Sequence, residues 1–123
     1  MLLLPPPPSY APAFCNDQYN NGKRVADVHG ILERWRVEAA AARRALSTRL
    51  DVAYGDDETE SFDLFSPRGK ARAPLPIVVF IHGGYWRSLS KSEFSWVAPS
   101  YVERGIKVAV LDYGLAPDYP LET

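Results

Sequence analysis

The stretch Pro76-Ile77-Val78-Val79-Phe80-Ile81-His82-Gly83-Gly84-Tyr85-Trp86 decides how this chain folds. From Leu75 to Ile81 it is apolar on both alternating faces, as a strand is when helices cover it on two sides. The strand then runs into His82 and a glycine pair. Glycine adopts dihedrals closed to other residues and lets a ligand approach the backbone closely. The carboxyl end of such a strand is where open α/β sheets place their sites.

A second run, Val108-Ala109-Val110-Leu111, has the same two-sided apolar character. Between the two lies a segment with helical signals. Ser90 and Glu93 form a capping-box pattern, Leu89 and Phe94 a hydrophobic staple, and Gly105 a stop. One helix is expected there, with Phe94, Val97, Ala98, Tyr101 and Val102 packed on the sheet and a kink at Pro99, which removes a helix hydrogen bond. Strand, helix, strand commits the chain to a parallel pair and an α/β fold.

Upstream, Leu50 to Tyr54 and Ser61 to Phe65 read as short strands joined by Gly55-Asp56-Asp57, an antiparallel edge hairpin. Ahead of them Val28, Ile31, Leu32, Trp35, Ala39, Ala42 and Leu46 recur at helical spacing behind a capping Asp27, which predicts an amphipathic helix packed on its own domain. His29 falls in its first turn. The residues up to about Gly22 read as loop, and residues 1–18, with Pro5 to Pro8, as a flexible Pro-rich tail. Residues 19–123 then form one domain, with a helical lead-in over 19–48 and the sheet over 49–123.

Composition sets outer limits. The 123 residues are 46% hydrophobic and 12% aromatic, enough for a core, and the formal net charge is −1. Basic and acidic residues are interspersed, so no face is built for nucleic acid or an anionic membrane. Cys15 stands alone. No intrachain disulfide or cysteine metal cluster can form, which fits a reducing, cytoplasmic compartment. No cofactor or metal is expected.

The chemistry is expected at the glycines. When a carbonyl is attacked its oxygen becomes anionic, and prepositioned backbone N–H donors stabilise it; losing one donor costs roughly 3 kcal/mol of barrier. The competing reading of a glycine pair is a plain strand-to-helix turn. His82 looks like a general base, but a base needs a nucleophile in reach, so it reads as a hydrogen-bonding brace for the loop. Trp86 packs under the loop or lines a pocket, and Tyr85 offers its N–H or its ring.

His82 to Trp86 resembles the His-Gly-Gly-x-Trp signature of the α/β-hydrolase superfamily, in the branch of kynurenine formamidases (arylformamidases) and related carboxylesterases. Asp112-Tyr113-Gly114-Leu115-Ala116-Pro117 is similar to that branch's Asp-Tyr-Arg-Leu-Ala-Pro segment, with Gly114 in place of arginine. The helix behind Tyr19-Asn20-Asn21 resembles the lead-in of bacterial formamidase-like members, so the resemblance runs from about Tyr19 to Thr123. It implies the N-terminal portion of an α/β-hydrolase fold and oxyanion-hole N–H groups at Gly83 and Gly84, with Tyr85 a further contributor and His82 and Trp86 shaping the loop. The substrate it implies is a small amide or ester, foremost an N-formylkynurenine-type arylformamide.

The family nucleophile lies in a Gly-x-Ser-x-Gly elbow, and no such pattern occurs in this sequence. The acid and the terminal histidine of the family lie later still. Pro120-Leu121-Glu122-Thr123 falls where the family begins its next helix. The expectation is therefore an N-terminal fragment of a serine hydrolase, inactive alone. Two other readings fit the same residues: a non-catalytic product that associates with itself or a partner through an uncovered strand such as Val108 to Leu111, and a small stand-alone binding module.

Overall fold

A computed structural model describes residues 11–69 and 74–120. The proline run at Pro5 to Pro8 lies outside the described residues. The chain divides into two compact units, Met1–Ile31 and Leu32–Thr123.

In the first unit, α1 (Pro12–Tyr19) and α2 (Asn21–Arg24) are helical. The loop reading is corrected here for residues 12–19 and 21–22, and residues 1–10 lie outside the described residues. Pro12 stands at the start of α1, where its missing N–H costs nothing, and Arg24 grips Asp17 at 2.6 Å. The predicted amphipathic helix is α3 (Val28–Ala45), and Asp27 caps it by accepting from the Gly30 N–H at 3.1 Å.

The second unit carries the sheet. Its strands are β1 (Ser47–Ala53), β2 (Ser61–Ser66), β3 (Ile77–Ile81) and β4 (Lys107–Leu111), in the order β1-β2-β4-β3. β1 and β2 form the expected antiparallel edge, with a bulge between Arg49 and Val52 that puts Asp51 at φ 54°. β3 and β4 are parallel, Ile77 to Ile81 facing Lys107 to Leu111.

The crossover between β3 and β4 differs from its expected form. It folds as two 3-10 turns, Lys91–Glu93 and Ser95–Val97, followed by α4 (Ala98–Val102). Pro99 does not kink a long helix. It occupies the first turn of a short one, where no backbone donor is needed. The capping box at Ser90 and Glu93 forms as expected, and Gly105, at φ 78°, ends the segment.

The core comprises Phe65, Phe94, Ala98, Val102, Val108 and Val110, with Trp35, Leu46 and Phe80 packed against it. Ala39 and Ala42 turn the buried stripe of α3 inward. Two expectations about the long apolar strands are overturned. β4 does not lie at an edge; it sits between β2 and β3, and the outer strand is β3. Nor is β3 covered on both faces. Ile77, Val79 and Ile81 are 52%, 54% and 66% exposed, while Val78 and Phe80 turn toward the helices. An apolar run states that a strand needs cover; it does not state which residues supply it.

Candidate functional site: the loop after β3

The loop leaves β3 at His82 and curls tightly. Gly84 has φ 140°, and Tyr85 and Trp86 follow in the left-handed region at φ 58° and 54°. The Gly84 carbonyl accepts from the Arg87 N–H at 3.1 Å and from Ser88 Oγ at 3.1 Å. The Trp86 carbonyl accepts from the Ala116 N–H at 2.7 Å, tying the loop to the segment after β4.

The two glycines serve different ends. A Cβ on Gly84 would lie 1.9 Å from the Ser88 carbonyl oxygen, so this position is closed to any side chain. A Cβ on Gly83 would meet nothing within 4 Å. Gly83 lines a cavity of about 380 Å³ with Tyr54, Ile81, His82, Tyr85, Trp86, Leu111 and Tyr113. Among the described residues, no acceptor takes the backbone N–H of Gly83, Gly84 or Tyr85. The site therefore combines unclaimed donors with a mainly aromatic wall.

Beneath the loop the contacts are dense. His82 is buried between Tyr113, stacked at 4.5 Å, and Phe94, stacked at 5.5 Å. Its Nδ1–H donates to the Gly83 carbonyl at 2.8 Å, and its own carbonyl accepts from the Tyr113 hydroxyl at 2.7 Å. Its Nε2 lies 3.4 Å from Asp112 Oδ1, within ion-pair reach but without hydrogen-bond alignment. Burial lowers the His82 pKa, and Asp112 and the Gly83 carbonyl outweigh it, so the net direction is upward. Burial likewise opposes ionisation of Asp112, yet His82 and Lys91 hold its pKa below the usual carboxylate value.

Asp112 stands at the end of β4, and Lys91 holds both of its oxygens. The Lys91 backbone N–H donates to Oδ1 at 2.6 Å and Nζ to Oδ2 at 2.9 Å. The same ammonium reaches Asp51 Oδ1 at 3.0 Å and Ser61 Oγ at 3.1 Å. Asp63, on the buried face of β2, accepts from the Asp51 N–H at 3.1 Å, and burial raises its pKa despite that bond.

The sequence brought His82, Gly83, Gly84, Tyr85 and Trp86 to attention, and they form one loop. Lys91, Tyr54 and Asp51 escaped it. A signal existed in β2, where Ser61 and Asp63 occupy alternate positions with Phe65, all three buried. Two polar residues on an inward face demand a partner. Gly114, where the resembled family carries arginine, leaves room for Tyr119: a Cβ there would lie 2.4 Å from that ring, whose hydroxyl donates to Asp57 at 2.8 Å. Among the described residues, no helix is long and apolar enough to cross a membrane.

No protein-family profile matches the chain. It is 38% identical over 76 residues to kynurenine formamidase of Danio rerio, covering 62% of this chain and 26% of that protein. It is 45% identical over 71 residues to kynurenine formamidase of Drosophila melanogaster, covering 58% and 23%. The chain thus spans about a quarter of the length of the curated relatives it matches. In structure it is similar to a solved proposed thioesterase from Silicibacter sp., with a TM-score of 0.79, 34% identity, and coverage of 88% of this chain and 41% of that one.

Proposed function

Because this chain has the fold of the α/β-hydrolase esterases and is similar in sequence to kynurenine formamidases, we propose that its β3 loop is the oxyanion-binding half of an acyl-transfer site. Gly83 and Gly84, with Tyr85 as a further donor, stabilise the negative oxygen that forms when a serine attacks a small amide or ester. N-formylkynurenine-type arylformamides are the leading substrates and carboxylic esters the next. The observation that carries this reading is the set of unclaimed N–H groups at Gly83, Gly84 and Tyr85 beside an aromatic-walled cavity.

In the proposed reaction the serine oxygen bonds to the carbonyl carbon, the leaving amine or alcohol takes a proton as its bond breaks, and water then cleaves the acyl-serine. The serine, its acid and its base are not supplied by this sequence, in which no Gly-x-Ser-x-Gly occurs. His82 is scaffold in this reading, and Trp86 and Tyr85 shape the pocket. A reducing, cytoplasmic setting suits the lone Cys15.

The test is a chimera in which this chain replaces the matched segment of the Danio rerio enzyme. Hydrolysis of N-formylkynurenine by the folded chimera is expected, and a folded but inert chimera would overturn the reading. Alone, the chain is expected to leave aryl esters untouched. Turnover blocked by a serine-reactive phosphonate would refute that.

A second function has one observation in its favour. The outer edge of β3, with Ile77, Val79 and Ile81 exposed, is suited to association with another chain or a second copy. Sizing the purified chain tests it, and a clean cooperative monomer counts against it.

A further inference from the structure

We propose that Lys91 is a positioning residue for the donor loop: through Asp112 and His82 it sets the direction in which the Gly84 N–H points. The inference rests on the donor-loop reading for its purpose, and on the following contacts for its substance.

An ammonium has three donors and no acceptor. Those of Lys91 meet Asp112 Oδ2 at 2.9 Å, Asp51 Oδ1 at 3.0 Å and Ser61 Oγ at 3.1 Å, which fixes Nζ from β1, from β2 and from the residue that follows β4. Its backbone N–H takes the remaining carboxylate oxygen of Asp112 at 2.6 Å. One residue therefore grips both oxygens of Asp112 and leaves that side chain no freedom to rotate. Asp112 in turn faces His82 Nε2 at 3.4 Å, and the opposite ring nitrogen, Nδ1, holds the Gly83 carbonyl at 2.8 Å.

The last link is covalent geometry. The peptide joining Gly83 to Gly84 is planar and trans, so its C=O and N–H point in opposite directions. A Gly83 carbonyl drawn toward buried His82 forces the Gly84 N–H to face away from that histidine. Glycines on either side leave the plane free to flip without such an anchor. The backbone around it is already strained, with Tyr85 and Trp86 both left-handed, so the anchor matters most at this peptide.

The experiment measures orientation in the full chain. In a Cys15→Ser background, Lys91→Cys removes the ammonium. Alkylation of the unfolded protein with 2-bromoethylamine forms the S–C bond, expels bromide and restores an ammonium at nearly lysine reach before refolding. The readout is the residual dipolar coupling of the Gly84 N–H, with β4 amides as the internal control.

Loss of the wild-type Gly84 coupling in Lys91→Cys, with β4 couplings kept, and its return after aminoethylation are expected. A Gly84 coupling unchanged by Lys91→Cys, or lost and not restored, overturns the proposal. If Lys91→Cys does not fold, Asp51→Gly decides, since it removes only the solvent-facing ligand of Nζ, at a φ of 54° that glycine adopts freely. A smaller departure at Gly84 in that variant supports the proposal, and none overturns it. Failure here leaves the chimera's hydrolysis standing, and an inert chimera leaves the coupling of Lys91 to Gly84 standing, so the two readings fail separately.

Discussion

The two sides of the Gly83-Gly84 loop are built on opposite terms. Beneath it, His82, Asp112 and Lys91 are buried or nearly so, and Lys91 places its ammonium on three acceptors. Above it, Tyr85 and Trp86 are 71% and 53% exposed, touch each other edge-on at 6.5 Å, and sit in strained backbone. The floor consumes its polar groups in holding a shape. The rim stays exposed, and among the described residues the N–H groups of Gly83, Gly84 and Tyr85 meet no acceptor.

The hardest test of this contrast is Asp112→Ala. It strips the Lys91 ammonium and His82 of their shared partner in a largely water-excluded place, and breaking such a pair costs about 3 kcal/mol or more. Urea unfolding should show a midpoint far below wild type. A loss under about 1 kcal/mol would mean the floor is as dispensable as a surface ion pair.

Next in size is the pair of glycine substitutions. Gly84→Ala forces a Cβ into the Ser88 carbonyl at a φ closed to alanine and should cost about 2 to 3 kcal/mol. Gly83→Ala meets open space and should stay within about 0.5 kcal/mol of wild type, since alanine also restricts the unfolded chain. Equal losses at both positions would erase the distinction between the glycine that shapes the loop and the one that lines the cavity.

How much of this could be read from the sequence follows the same division. β3, β4 and α3 declare themselves because each is local: an apolar run or a helical period over one segment. The glycine loop does too, from its place after a strand. The strand order does not, since β4 takes its central place only through pairing with β2, whose partner residues lie 43 to 49 positions upstream. Lys91 was invisible for a related reason. A lysine after a capping serine reads as solvent-facing, and only the meeting of β1, β2 and β4 around it reveals a buried charge. Nor does sequence tell Gly83 from Gly84, because backbone dihedrals differ where residue types do not.

The pH dependence of stability is a smaller effect and separates two members of the floor. The folded pKa of His82 lies above its ordinary 6.5, so its contribution is complete below 6.5 and disappears as pH rises through the folded value. The folded pKa of Asp112 lies below its ordinary 3.8, so its contribution is present above 3.8 and disappears as pH falls through the folded value. Urea midpoints should therefore decline gently above pH 6.5, and His82→Gln should flatten that limb while leaving the acid limb in place. A wild-type curve flat from pH 6.5 to 9 would detach His82 from Asp112.

The effect on stability is also small at the rim, and there its size carries the information. Trp86 holds a left-handed φ of 54° without a glycine's freedom, its ring is more than half exposed, and its carbonyl bond to the Ala116 N–H survives any side-chain change. Trp86→Gly should thus trade a little packing for relief of strain and leave stability within about 1 kcal/mol of wild type. In the chimera the same substitution should raise KM for an aryl substrate with kcat less affected, because it removes part of the cavity wall and leaves the anchored Gly83-Gly84 peptide as it was. A marked fall in stability would show that the indole belongs to the floor, and the two sides of the loop would then be one structure and not two.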